Sequence, residues 1–392
     1  MTLKNKNILL GITGGIACYK ILELCSRLKK QGCNLKIIMT EASMKFINPL
    51  SFETMGKCEV YTDIFKTSHE NVWHIELPKW ADVFLIAPLS ANTMAKMANG
   101  IADNFLTASF LACDKDVIVA PSMNTNMLNN EASQNNIRIL KERNVKFIDC
   151  NSGLLACNTK GDGRLKEPYE IVDYLENYFT KKDLLGKKII VTAGATIEPI
   201  DYVRYITNHS SGKMGYNIAK QARNRGADVV LISGNANPFE IEGIKKIDIK
   251  TNEQLKNAID DQFDNCDCLI MAAAPCDYKP VKTYDKKLKK NGSNLNIEMT
   301  ENIDILKYFG AKKKDQMIIG FAAETDDLIE NAKKKLVKKN ADYIIANDLK
   351  NENAGFAVDT NQISIISKEK IKRYPVLSKK DTADIILDLV GD

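Results

Sequence analysis

A chain of 392 residues exceeds what one hydrophobic core ordinarily serves, so two domains are expected. With 44% hydrophobic and 27% charged residues and no apolar run long enough to cross a bilayer, the composition excludes disordered, fibrous and membrane-spanning classes. The formal net charge is +5, and the lysine-rich stretches at 286–290, 312–314 and 333–339 carry few interleaved aromatics, which argues against a nucleic-acid groove and suits nucleotide phosphates.

Met1–Asn7 leads straight into Ile8-Leu9-Leu10 without a signal-like segment, and the ten cysteines form no CxxC pair. Reduced thiols in the cytoplasm are expected. Strand-like runs then alternate with amphipathic helical stretches: strands at Ile8–Ile12, Leu35–Met39, Val83–Ala87, Val117–Ala120 and Val145–Ile148, and a helix over Ile16–Lys30 with apolar residues at Ile21, Leu24, Cys25 and Leu28. The polar stretch Thr180–Gly186 interrupts this pattern, and the division is placed at 185/186. A second alternation follows, with a helix over Met214–Arg225 and strands at Lys188–Val191, Asp228–Ile232, Leu269–Ala272, Met317–Gly320 and Tyr343–Ala346. The predicted fold class is α/β: two domains, 1–185 and 186–392, each an open, mostly parallel sheet flanked by helices, with ligand sites at strand carboxyl ends.

In the first half, Gly11-Ile12-Thr13-Gly14-Gly15-Ile16 opens a helix and offers backbone amides to an anion. Thr40, then Ser90, Asn92 and Thr93, then Asn124, follow later strands; each suits either a helix cap or a hydrogen bond to a cofactor. His74, one of three histidines, is a proton-transfer candidate, while Cys157 precedes the glycine-containing segment Gly161-Asp162-Gly163-Arg164, where a flap bearing a thiol is expected. The ordered set of Gly14-Gly15-Ile16-Ala17, Trp73-His74-Ile75, Pro121-Ser122-Met123-Asn124-Thr125-Asn126-Met127 and Ala156-Cys157 resembles the homo-oligomeric flavin-containing cysteine decarboxylases. That resemblance implies a flavoprotein-like domain binding FMN through Gly14, Gly15, Ile16, Thr40, Ser90, Asn92 and Thr93. It also implies His74 for proton transfer, Asn124 for the substrate carboxylate and Cys157 as proton donor. Leu128 stands where that family usually has tryptophan.

In the second half, the segment from Gly194 to Gly215 places Asn208, Ser210, Ser211 and Gly212 ahead of a helix, and Ala272-Ala273-Ala274-Pro275-Cys276-Asp277 follows a strand. Lys287 lies in a lysine cluster able to neutralise a triphosphate. Together with Phe321, Lys335 and Lys339 these segments resemble the bacterial, CTP-using phosphopantothenate–cysteine ligases. The likeness implies a Rossmann-like domain in which Asn208 and Lys287 serve catalysis. Its implied CTP contacts are Met271, Ala272, Ala273, Asp277, Lys287, Ile303, Asp304, Ile305, Leu306, Phe321, Lys335 and Lys339. Mg²⁺ is expected to accompany CTP, without an identifiable ligand cluster, and 4'-phosphopantothenate and L-cysteine are the implied substrates. Trimeric contacts of the decarboxylase and dimeric contacts of the ligase are likewise implied. Ala195 replaces the usual proline and Pro275-Cys276 the usual Val-Ala. A NAD-dependent oxidoreductase is disfavoured, because Gly11–Gly15 lacks the G-x-G-x-x-G spacing.

Overall fold

The computed structural model describes residues 2–65, 72–154, 160–236, 239–290, 292, 294–324, 327–348 and 358–391. The chain forms two compact units, Met1–Phe179 and Thr180–Asp392. They divide ahead of 185/186 because Leu184 is buried in the second core and Asp183 pairs with Arg225 at 2.9 Å.

The first unit is built on strands that read as nearly continuous apolar runs, the mark of sheets covered on both faces. Its strands are β1 (Asn7–Ile12), β2 (Asn34–Met39), β3 (Val60–Tyr61), β4 (Val83–Leu89), β5 (Val117–Pro121), β6 (Lys146–Phe147), β7 (Asn151–Leu154) and β8 (Lys160–Arg164). Its helices are α1 (Cys18–Lys30), α2 (Glu41–Met44), α3 (Pro49–Gly56), α4 (Trp73–Trp80), α5 (Ala91–Asn99), α6 (Phe105–Leu111), α7 (Thr125–Asn129), α8 (Glu131–Glu142) and α9 (Pro168–Phe179). Six strands make a parallel sheet in the order β3-β2-β1-β4-β5-β6. Ile21, Leu24, Cys25 and Leu28 of α1 join α3 and α9 on one face, while α4, α5, α6 and α8 cover the other. The first helix starts at Cys18, later than the sequence pattern suggests, because Gly14–Ala17 is spent in the turn leaving β1, where Ile16 is 61% exposed.

The second unit repeats this logic with β9 (Lys188–Ala193), β10 (Ile197–Pro199), β11 (Tyr205–Thr207), β12 (Asp228–Ser233), β13 (Lys245–Asp248), β14 (Cys268–Met271), β15 (Tyr278–Pro280), β16 (Met299–Glu301), β17 (Met317–Glu324), β18 (Tyr343–Asp348), β19 (Thr360–Ile366) and β20 (Ile371–Ser378). The helices are α10 (Lys213–Asn224), α11 (Asn252–Phe263), α12 (Ile305–Lys312), α13 (Leu328–Lys338) and α14 (Lys379–Gly391). Eight strands run in the order β13-β12-β9-β14-β17-β18-β19-β20, parallel as far as β18 and antiparallel beyond it. Alternate residues of the central strands feed two cores. One lies under α10 and α14, the other under α11, α12 and α13. Among the described residues no helix is long and apolar enough to cross a membrane.

Candidate functional site

At the carboxyl edge of the first sheet, the β1 and β4 ends are tied together by a residue not singled out from the sequence. Thr13 is fully buried; its hydroxyl donates to the Pro88 carbonyl at 2.6 Å and accepts the Ser90 N–H at 2.8 Å. Beside it the turn stays open: a side chain at Gly15 would meet nothing within 4 Å, and Asn92 is exposed. Thr40 caps α2 through the Ser43 N–H, and Ser90 caps α5 through the Thr93 N–H while contacting the Thr93 hydroxyl at 3.2 Å. Capping fixes these hydroxyls, and of the turn glycines Gly15 faces open space while Gly14 packs against Ala42, where a Cβ would stand 2.6 Å from the Ala42 Cβ.

Asn124 is half-buried at the start of α7 and accepts the Asn126 N–H at 2.8 Å. The loop it sits on is clamped by the β7–β8 hairpin: Met123 N–H donates to the Gly163 carbonyl at 3.0 Å and the Thr125 hydroxyl to the Asp162 carbonyl at 2.7 Å. Gly163 has φ +118°, and a Cβ on it would stand 2.2 Å from the Met123 carbonyl oxygen, so only glycine permits this approach. The flap expected from the sequence falls between β7 and β8, outside the described residues. Cys157 itself lies outside the described residues. His74 is half-buried on the first turn of α4, on the opposite face of the sheet from α1. Leu128 packs into the core under α4, α5, α6 and α8.

The second unit holds a cavity of about 650 Å³ over the carboxyl edge of its sheet. Asn208, Met271, Ala272, Ala273, Asp277, Ile303, Asp304, Ile305, Leu306, Phe321, Lys335 and Lys339, from five separate segments, all line it. Two left-handed glycines bring α10 to the edge: Gly194 (φ +78°) and Gly212 (φ +74°) approach so closely that a Cβ on Gly212 would lie 3.2 Å from the Gly194 nitrogen and 2.4 Å from the Ala236 Cβ. Asn208 donates from Nδ2 to the Ala274 and Pro275 carbonyls at 3.3 and 3.0 Å, which seats it on the β14 end. Beneath, Thr196, Asn252, Cys276, Glu198 and Asn302 form a polar chain: the Thr196 hydroxyl donates to Asn252 Oδ1 (2.6 Å), Cys276 N–H to Thr196 (2.9 Å), and Asn252 N–H and Asn302 Nδ2 to Glu198 (both 3.0 Å). Such a satisfied network makes the strand-end loops rigid. Ala195 and Cys276 are both buried, and burial pushes the Cys276 thiol up.

The lysine-rich stretches separate by role. Lys312 pairs with Asp260 and Lys313 with Asp342, at 2.8 and 2.7 Å, as surface structure. On α13 it is Lys335 and Lys339, one turn apart, that turn inward: Lys335 donates to the Phe321 carbonyl at 2.8 Å and Lys339 pairs with Asp304. Burial pulls the Lys339 ammonium down, with Asp277 opposing. Lys287 does not line the cavity; it is exposed on a segment held by Asp201, which accepts the Leu288 N–H at 3.0 Å, and by Arg204, which donates to the Leu288 carbonyl at 2.8 Å. The Arg204 guanidinium, with the N–H groups of Leu288, Val203 and Arg204, holds the Asp201 carboxyl well below the usual carboxylate range. Among the described residues no group of three or more His, Cys, Asp or Glu side chains is placed to hold a metal ion.

Two α/β units, one with a turn open at Gly15 after its first strand and one carrying a cavity over its strand ends, are the class that the comparisons then specify. Residues 1–180 match the family described as Flavoprotein, and residues 184–392 match the DNA/pantothenate metabolism flavoprotein C-terminal domain. The coenzyme A biosynthesis bifunctional protein CoaBC of Bacillus subtilis is 43% identical over 99% of this chain and 97% of its own length. The CoaBC protein of Borreliella burgdorferi is 41% identical over 99% of each. A crystal structure of the C-terminal domain of a CoaBC protein aligns with a TM-score of 0.47 at 37% identity, covering 54% of this chain and 97% of that one. The chain belongs to the family of bifunctional coenzyme A biosynthesis proteins, enzymes with decarboxylase and ligase activities.

Proposed function

We propose that the second unit ligates 4'-phosphopantothenate to L-cysteine at the expense of CTP, and that the first unit decarboxylates the resulting 4'-phosphopantothenoylcysteine to 4'-phosphopantetheine with FMN. The observation that carries the ligase reading is the single cavity in which Asn208 meets Met271–Ala273, Asp277, Ile303–Leu306, Phe321, Lys335 and Lys339. A carboxylate oxygen is a poor leaving group; attack on the α-phosphate of CTP makes an acyl-cytidylate and releases pyrophosphate, and the cysteine amine then displaces CMP. Lys335 and Lys339 supply positive charge to the nucleotide phosphates, Asn208 acts at the acyl group in the second step, and Lys287 reaches the departing pyrophosphate from its exposed segment. Mg²⁺ accompanies the triphosphate.

In the first unit, the Gly14–Ile16 turn, open at Gly15, with the neighbouring Ser90, Asn92 and Thr93, and Thr40 at the β2 end, suits the phosphate-bearing end of FMN. When bound, the flavin provides the electron sink that lets the cysteinyl carboxylate leave as carbon dioxide. Asn124, on its clamped loop, binds that carboxylate, His74 moves the proton that accompanies oxidation, and Cys157 on the flap beyond β7 returns a proton after carbon dioxide has gone. Trimeric contacts between flavin units and dimeric contacts between ligase units, in the cytoplasm, complete the reading.

The test is Asn208→Asp incubated with labelled CTP and phosphopantothenate, with and without cysteine, followed by chromatography. Pyrophosphate release with accumulation of acyl-cytidylate is expected. Amide formation as fast as the parent's, with nothing trapped, would remove Asn208 from the reaction.

A further inference from the structure

The cavity has a second end that the nucleotide residues leave unused. Asn347 lies opposite Ile363 in the β18–β19 ladder, so Asn361, two residues from Ile363, stands diagonally beside Asn347 on the same face of the sheet. That face is the one bearing Ile345, Ile363 and Ile365 under α10 and α14, whereas Leu306, Ala322 and the residues of α13 pack on the other. The cavity therefore crosses the strand ends from one layer of helices to the opposite layer.

Asn347 and Asn361 line this far end, are 8% and 3% exposed, and each keeps a buried side-chain oxygen with no hydrogen-bond partner among the described residues. Buried acceptors of this kind are costly unless something donates to them. The Asn361 amide is oriented from its other side by Nδ2 contacting the Met214 sulfur at 3.4 Å. Beside the pair stand two cations, Lys379, 4% exposed at the start of α14, and Lys213 at the start of α10, the latter paired with Asp359 at 2.6 Å. Lys379 also donates to the Val358 carbonyl, and a ligand suited to this end would present hydrogen-bond donors to the two amide oxygens and an anionic group to the two ammonium groups.

Resting on the ligase reading above, we infer that Asn347, Asn361 and Lys379 form the subsite that recognises the tail of the acyl substrate: the asparagine oxygens accept from its hydroxyl and amide N–H groups, and Lys379, with Lys213, binds its terminal phosphate. Burial, with the neighbouring Lys213 adding to it and Asp359 opposing it, pulls the Lys379 ammonium down to about 8, a condition that an arriving phosphate dianion relieves.

Steady-state ligase assays on the full chain test this, with phosphopantothenate and unphosphorylated pantothenate as alternative acyl substrates and pyrophosphate release as readout. Lys379→Met is expected to raise KM for phosphopantothenate by roughly 10- to 100-fold, the worth of a charge-assisted hydrogen bond, to leave KM for CTP alone, and to erase the preference for the phosphorylated substrate. Lys379→Arg keeps that preference. Asn347→Leu and Asn361→Leu are expected to raise KM for both acyl substrates alike. Asn361→Ser, which can fold where the leucine variant cannot, should do the same. An unchanged KM for phosphopantothenate in the folded variants, or a rise in KM for CTP instead, overturns the subsite. Failure of the parent enzyme to release pyrophosphate with phosphopantothenate would instead overturn the ligase reading itself.

Discussion

Gly163→Ala isolates the clamp on the Asn124 loop without touching a group assigned to chemistry. Gly163 sits at φ +118°, and an added Cβ would stand 2.2 Å from the Met123 carbonyl oxygen, against a limit of 3.0 Å for real contacts. The strained backbone costs on the order of 1–3 kcal/mol. Losing the Met123 N–H bond to the Gly163 carbonyl adds about 1 kcal/mol. The protein avoids much of this by letting the hairpin and the Asn124 loop part by roughly 1 Å, a displacement that lowers turnover on the order of 100-fold when it moves a substrate-positioning group. Carbon dioxide release from phosphopantothenoylcysteine measures the loss, flavin absorbance is expected to stay with the protein, and ligase turnover of the same sample serves as internal control. Gly153→Ala in the same hairpin meets nothing closer than the Arg164 Nη1 at 3.5 Å and is expected to be tolerated. A Gly163→Ala enzyme decarboxylating at the parent rate would refute the clamp.

Thr13→Val orphans the part-buried Ser90 N–H, a loss of about 1–3 kcal/mol, and is expected to loosen flavin retention, read as flavin released on gel filtration. Asp201→Asn removes the ionic hold on Arg204 that fixes the Lys287 segment, so ligase turnover should fall towards that of Lys287→Gln while decarboxylation is unchanged; additive losses in the double variant would show that the two act separately. For Lys379 the sign follows from the folded value of about 8 and an unfolded value of about 10.4: between them the unfolded chain holds more protons, so this group's destabilising effect is full below 8 and fades as pH rises. Substrate binding runs the other way, with KM for phosphopantothenate rising above pH 8 as the ammonium is lost, a trend that Lys379→Arg should flatten.

The layered α/β architecture was legible because β4 and its neighbours are unbroken apolar runs and α1 keeps Ile21, Leu24, Cys25 and Leu28 on one stripe. The cavity was legible through segments whose small residues follow strands, notably Ala272–Ala274. Asn347, Asn361 and Lys379 left no such trace, since a polar residue ending a strand or starting a helix reads as a cap, and only the β18–β19 register places the two asparagines on one face. Thr13 was hidden for the same reason: its worth lies in a bond to Pro88 and Ser90, residues far along the chain. The lysine stretch on α13 needed the helix phase to divide inward Lys335 and Lys339 from their solvated neighbours. Lys287 stands apart because its segment answers to Asp201 and Arg204 rather than to the cavity wall.

A cavity that passes over the strand ends from one helical layer to the other can be retuned one layer at a time. On the proposed reading, substitutions on α12 and α13 would alter the nucleotide's surroundings without disturbing α10 and α14, and changes around Asn347, Asn361 and Lys379 would alter the tail's surroundings without reaching Lys335 or Lys339. Divergence in nucleotide preference and divergence in acyl preference thus have separate routes through this fold. The Ala272–Pro275 strand end, on which Asn208 rests, is the stretch that neither route can change alone.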